Sequence, residues 1–384
     1  MSNFNSFYQP TIWESKCSIC EIYDSCGGSN SAPCGCIKTG DDRYHCSKCT
    51  ILCKERCSSI DKRDIFSAHV RDVLKLNDLC IKQDFNGTKY FPLFIPTQTR
   101  QLPENVCLSW AGVSITDLVN KRRKPPVSTK KYLNSDSSFR KNLRINEQSN
   151  LIVIMNSQDD LLEHFWASDR NDFYNSITNR IFAASGPTFS IYKETKNKER
   201  EPDSHKVLMN MRQNQVLQEM NNKGINAIPN IYWRNKKDRM LWAEWLNKNT
   251  SVWAISRDFS STRSRDGVDY KNGLNYLIDI VRAVNRRMHI FVNGISYKKA
   301  ASVIEKFAEI GCTCSCITSN PIILGRKGIK LEYRGSDIPD TSHQGREILA
   351  KDIAFSNICV MQDYLNKFSS SFSIYSDSPI ISII

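Results

Sequence analysis

Nine of the chain's fifteen cysteines fall in one short segment: Cys17, Cys20, Cys26, Cys34, Cys36, Cys46, Cys49, Cys53 and Cys57. A Cys-x2-Cys knuckle lets two thiolates converge on one metal without straining the backbone, and Cys17/Cys20 and Cys46/Cys49 have that spacing. A small Gly/Ser-rich region with no core of its own gains its folding energy from such a metal. Zinc is the expected ion. The alternative is an iron–sulfur cluster on Cys46, Cys49, Cys53 and Cys57. Nine thiols exceed one tetrahedral site, so either two sites form or one forms with thiols to spare. Cys80 and Cys107 lie outside the cluster and read as ordinary buried residues. Cys312, Cys314 and Cys316 alternate, which places them on one buried strand face.

The other groups able to do chemistry stand where apolar runs stop. LIVIM (Leu151–Met155) is followed by Asn156, Asp159 and Asp160, and RIFAA (Arg180–Ala184) by Ser185. INAIPNI (Ile225–Ile231) leads to Trp233, and VWAIS (Val252–Ser256) to Arg257 and Asp258. HIFVN (His289–Asn293) ends on Asn293, and CTCSCI (Cys312–Ile317) runs to Asn320. A carboxylate, amides and an aromatic ring together suit a flat heterocycle, stacked on one face and hydrogen-bonded at its edge. In that reading Asp258 is the main carboxylate, Asp160 a second, and Trp233 the stacking surface. Asn156 and Asn320 read the edge, with Ser185, Arg257 and Asn293 beside them. Each also has a plainer role. Asp258 can pair with Arg257 or Arg263, Asp159 and Asp160 can cap a helix, Trp233 can be core, and the asparagines can form turns.

These groups share one hollow only if the runs are parallel strands whose ends converge. Each run is short, uniformly apolar and rich in Ile, Val or Phe, as expected of strands covered on both faces. Helix-length segments separate them: Lys206–Lys223, Asp238–Asn247, Tyr270–Arg286 and Lys298–Ile310. Strand–helix alternation at this spacing predicts an α/β fold with crossover helices. Ile329–Tyr333 after the six runs, and Val106–Trp110 or Pro92–Ile95 before them, bring the count to that of a (β/α)8 TIM-like barrel. An open doubly wound sheet is the alternative, although no Gly-rich phosphate loop follows the first strand. The expected organisation is a cysteine-rich module over 1–60, the barrel over 61–368 with a basic insertion at 120–150, and a tail over 369–384. A last helix is expected from Arg346 to Phe368.

The formal net charge of +13 and sequence pI of about 9.0 favour a polyanionic partner, with nucleic acid ahead of membrane. Lys121, Arg122, Arg123, Lys124, Lys130, Lys131, Arg140 and Lys141 concentrate in the insertion, which reads as weakly structured around Pro125-Pro126. Such a segment can follow a phosphate backbone and gain affinity by releasing counterions. A solvated linker is the plainer reading. No run of eighteen apolar residues occurs, so a soluble cytoplasmic protein is expected. The oligomeric state has no signature in the sequence.

The order of motifs resembles the tRNA-guanine transglycosylase superfamily, especially its shorter DNA-directed branches, over roughly Leu151 to Tyr333. IFAASGPTF (Ile181–Phe189) takes the place of that family's strand ending in Asp-Ser-Gly-Gly-Phe. HIFVNGIS (His289–Ser296), a helix and CTCSCITSNPIILGRKG (Cys312–Gly328) resemble the family's closing Gly-Val-Gly strand, helix and nucleophile strand. INAIPNIYW (Ile225–Trp233) and VWAIS look like the strands between. There are departures. Ala184 stands in the place of the acid–base aspartate, Ser315 or a neighbour near that of the nucleophile, and the cysteines are N-terminal. The resemblance therefore implies a barrel acting at an N-glycosidic bond. A DNA glycosylase serving phage defence, on bases flipped from the duplex, is the form it implies first. Exchange of a base for a deazapurine in DNA or tRNA is the second. A reading independent of the resemblance is a non-enzymatic metal-bearing nucleic-acid-binding protein.

Overall fold

The computed structural model describes residues 73–85, 91–120, 128–189, 203–260, 268–333, 338–344, 349–372 and 374. The nine clustered cysteines, Lys121, Arg122, Arg123 and Lys124 lie outside the described residues, as do residues 373 and 375–384 of the C-terminal tail.

Among the described residues eight strands run parallel: β1 (Phe94–Pro96), β2 (Leu108–Ser114), β3 (Ile145–Ile154), β4 (Ala183–Ser185), β5 (Ala227–Ile228), β6 (Ala254–Asp258), β7 (His289–Asn293) and β8 (Thr313–Thr318). They form two four-stranded sheets, ordered β1-β8-β7-β6 and β2-β3-β4-β5. Parallel bridges link the facing edges, Thr97 with Gly112 and Asn230 with Ser256. Gln83 reinforces the second seam. Its Nε2 donates to the carbonyls of Ala227 (3.0 Å) and Ala254 (2.8 Å), and its Oε1 accepts from the Trp253 and Ala254 amides. Gly112 is required at the first seam, because a Cβ there would lie 2.7 Å from Thr97 Cγ2 and 2.9 Å from Ile317 Cγ2.

Helices α1 (Asp136–Leu143), α2 (Asp159–Trp166), α3 (Asn171–Ile177), α4 (Asp203–Asn222), α5 (Lys236–Lys248), α6 (Val268–Ala283) and α7 (Tyr297–Ala308) separate the later strands. After β8 come α8 (Asn320–Arg326), an antiparallel hairpin of Ile329–Glu332 with Asp340–His343, and α9 (Ala350–Ser369). The expected eighth strand at Ile329–Tyr333 is thus a hairpin arm. Both early apolar runs supply parallel strands instead. Asn357 of α9 holds the hairpin, accepting from the Leu331 amide at 2.6 Å and donating to the Ile329 carbonyl at 2.9 Å.

Register decides which side chains share a face, because paired residues point the same way and neighbours in a strand point oppositely. His289, Phe291 and Asn293 share a face with Ala254, Ser256 and Asp258, and with Thr313, Ser315 and Ile317. This face is the one the two sheets have in common: Phe91 meets Phe291 at 5.0 Å and Trp110 of β2 at 5.7 Å. The other face meets helices. Cys314 and Cys316 are buried there, with the Cys316 thiol 3.9 Å from the Ala300 carbonyl of α7. Cys80, however, is exposed and Cys107 half-buried, against the expectation that both are core.

The shared face changes character along the strands. Near the strand beginnings Phe85, Phe91, Trp110, Phe182, Trp253 and Phe291 pack around His289. The His289 ring is fully buried and its Nδ1 lies 2.8 Å from Thr313 Oγ1; burial pushes its pKa down to about 3, helped by Arg287. Near the strand ends the same face becomes polar.

Residues 128–150 are structured, contrary to the expected loose insertion. They hold a short strand pair with Val119–Asn120, a 3-10 turn at Lys131–Asn134, helix α1 and the start of β3. Ser135 caps α1 by accepting from the Ser138 amide. Among the described residues no helix is long and apolar enough to cross a membrane.

Candidate functional site

β6 ends in Arg257-Asp258, and strand alternation turns the two side chains apart. Asp258 faces the space shared by the sheets and is 6 % exposed. Its carboxylate accepts from Asn156 Nδ2 at very short range and from the Ser260 amide at 2.7 Å. Its carbonyl accepts from the Tyr232 hydroxyl at 3.1 Å. Asn156 stands two residues past β3, in phase with Ile152 and Ile154, so it points inward as well. Asn156 Oδ1 accepts from the Thr188 amide (3.1 Å) and from Asn230 Nδ2 (2.9 Å). Asn230 Nδ2 also approaches Thr188 Oγ1 at 2.8 Å and the Gly186 carbonyl at 3.3 Å. The ends of β3, β4, β5 and β6 are thereby tied into one hydrogen-bonded network.

Asn293 completes the arrangement from β7, where it is the register partner of Asp258. It is 3 % exposed, and neither its Oδ1 nor its Nδ2 has a hydrogen-bond partner. Leaving a buried amide unpaired costs about 1–3 kcal/mol, and a ligand or an ordered water that supplied the partner would offset that cost. A donor and an acceptor lie side by side there, next to a carboxylate.

The remaining expected residues divide. Ser185 faces inward from β4, but its hydroxyl accepts from the Met155 amide at 3.3 Å and so joins two strands. Arg257 turns outward. Its Nη1 donates to the Ile231 carbonyl at 2.7 Å, and its guanidinium lies 3.8 Å from the Tyr232 ring centroid and 4.3 Å from that of Trp233. Burial lowers its pKa from the ordinary arginine value, opposed by Tyr232 and Asp258. One face of Trp233 is therefore spent on Arg257. Asn320 does not read an edge: its Oδ1 accepts from the Tyr297 amide at 3.2 Å, serving the start of α7 where Ser296 makes no side-chain cap. Asp160 lies in the first turn of α2 with Asp159; their side chains are outside the described residues.

Two positions singled out by the family resemblance are not at strand ends. Ala184 pairs with Val153 and Ala227 and faces the helices. Ser315 lies mid-strand, buried, with its hydroxyl donating to the Pro92 carbonyl at 2.5 Å.

The basic residues also separate. Lys130 is half-buried, with Nζ donating to the Thr116 carbonyl at 2.7 Å, and burial lowers its pKa. Arg140 bonds Asp136 (2.8 Å) and the Asn146 carbonyl (2.6 Å). Asn146 lies at the start of β3 and Asn156 follows its end, so Arg140 sits about 30 Å along the strand from the polar network. Lys131 and Lys141 are exposed.

The sequence reading missed Asn230, the hub of the network. A signal existed: Pro229 cannot donate to a ladder, and an asparagine after it in an apolar run has the inward phase. Thr188 and the Ser260 amide left no such trace. Among the described residues no group of three or more His, Cys, Asp or Glu could hold a metal ion. No protein-family model, curated protein or solved structure matches the chain.

Proposed function

We propose that the two bridged sheets make one closed (β/α)8 barrel, and that its polar mouth cleaves the N-glycosidic bond of a DNA nucleobase to leave an abasic site. Two seam bridges joining sheets of four parallel strands support the barrel. Catalytic groups in such barrels gather at the strand ends.

The observation that carries the function is the inward carboxylate of Asp258, oriented by Asn156 and Ser260, beside the unpaired amide of Asn293. In this reading Asn293 takes the edge of the base. Asp258 faces the sugar, where positive charge develops at the anomeric carbon as the base departs with the bonding electrons. A water held on the carboxylate then adds to that carbon and yields its proton to Asp258. Asn156 and Asn230 hold the carboxylate in place. Base exchange would need a second reacting group to form and resolve a covalent sugar intermediate; Ala184 faces the helices and the Ser315 hydroxyl is spent on Pro92. Hydrolysis is accordingly the favoured outcome. Zinc on the nine N-terminal cysteines belongs to the same reading as a structural element, and no step passes through it.

The test is incubation of the protein with unmodified, modified and phage DNA, followed by mass spectrometry of bases and product. Released base with an abasic sugar supports hydrolysis, whereas a changed base in intact DNA supports exchange. DNA left unaltered under all conditions rejects the enzyme.

A further inference from the structure

A row of alternating rings and guanidinium groups runs from the polar network to the surface. It starts at Tyr232, whose hydroxyl donates to the Asp258 carbonyl at 3.1 Å. The Arg257 guanidinium lies between the Tyr232 and Trp233 rings, 3.8 and 4.3 Å from their centroids. Trp233 meets Tyr276 of α6 with centroids 6.3 Å apart and planes at 88°. Arg239 of α5 places its guanidinium 3.9 Å from the Tyr276 centroid. Arg257 is buried, Tyr232, Trp233 and Arg239 are half-buried, and Tyr276 is 37 % exposed. Arg257 and the two aromatic residues at 232 and 233 leave the ends of β6 and β5, so the row begins beside Asp258 and opens on the α5/α6 surface.

We propose that this row is a stacking track for an unpaired stretch of DNA flanking the base held at Asp258. The inference rests on the nucleobase reading above. A ring bearing a guanidinium on its surface offers two things a nucleotide needs, a flat face for the base and a fixed cation for its phosphate. Lys236, Lys237 and Lys271 are exposed on the same two helices and add to the positive field of a chain carrying +13. The occupant is single-stranded, because a base within duplex DNA is already stacked on its neighbours. Drawing one base from the helix makes the adjoining nucleotides available to such a track.

The experiment measures binding of a fluorescently labelled single-stranded oligonucleotide by anisotropy, with the fully paired duplex of the same sequence in parallel. Tyr276→Ala is expected to weaken single-strand binding about 5- to 100-fold, the range seen when one base loses its stacking partner. Duplex binding stays within two-fold, and Tyr276→Phe binds like the parent. Arg239→Lys, which keeps the charge and removes the plane, is expected to weaken single-strand binding about 3- to 10-fold. This second variant decides the matter if Tyr276→Ala melts early. Single-strand affinity unchanged in the folded variants, or lost equally on duplex, overturns the track. Base release by the parent protein is scored separately: release with unchanged variant binding rejects the track alone, and variant-sensitive binding without release rejects the glycosidase alone.

Discussion

His289 should make this protein acid-labile in a way one substitution relieves. Its ring is fully buried among aromatics, and its pKa falls from 6.5 to about 3 because burial penalises the charged form. The unfolded chain therefore takes up a proton near pH 6.5 that the folded chain refuses until about pH 3. Above pH 6.5 there is no penalty. Below it, folded stability drops by about 1.4 kcal/mol per pH unit, which gives about 3 kcal/mol at pH 4.5 and more toward pH 3. His289→Gln keeps a polar group near Thr313 Oγ1 and cannot ionise. Urea unfolding of both proteins at pH 7.5 and pH 4.5 isolates the effect. The variant starts less stable at pH 7.5, because the aromatic packing is disturbed, but should lose about 3 kcal/mol less than the parent on acidification. Parallel losses in the two proteins would refute the buried-neutral assignment.

Asp258→Ala is expected to abolish base release, at least 100-fold by single-turnover assay, while DNA binding stays within a few-fold. Gly294→Ala acts on the same group through the backbone. Gly294 has φ +76°, and a Cβ there would lie 2.6 Å from the Ser260 amide nitrogen that donates to Asp258. Base release should fall with it, and thermal melting should show a loss of about 1–3 kcal/mol. A Gly294→Ala protein with parental activity would show that Ser260 does not orient the carboxylate. Elemental analysis of purified full-length protein should return about one or two zinc per chain, and a brown chromophore with iron in its place would assign an iron–sulfur cluster.

The parallel strands were legible because burial on both faces leaves short apolar runs, and helix-length segments separate them. His289–Asn293 was read to the residue, and α5 and α7 to within a few. Strand ends were less accurate where polar residues belong to the strand, as Arg257 and Asp258 do. Ile329–Tyr333 was misplaced because a run of that length reads alike in a hairpin and in a parallel sheet. Within the site, Asp258, Asn156 and Asn293 were visible as polar residues at run ends. Arg257 has the same signature, but a one-residue change of phase moves its side chain to the opposite face; Trp233 and Asn320 lie past the strand ends, where alternation no longer sets direction. Asn230 was hidden inside a run counted as apolar.

The pairing of β1 with β8 has a consequence for synthesis. Phe94–Pro96 finds its partner in Cys316–Thr318, at the far end of the strand series. While the ribosome is still making the intervening chain, β1 can be held only by the Thr97–Gly112 seam, with its other edge open to pairing with another molecule. A chain ending before Thr318 keeps that edge permanently, so such truncations should appear as aggregates and not as smaller folded proteins.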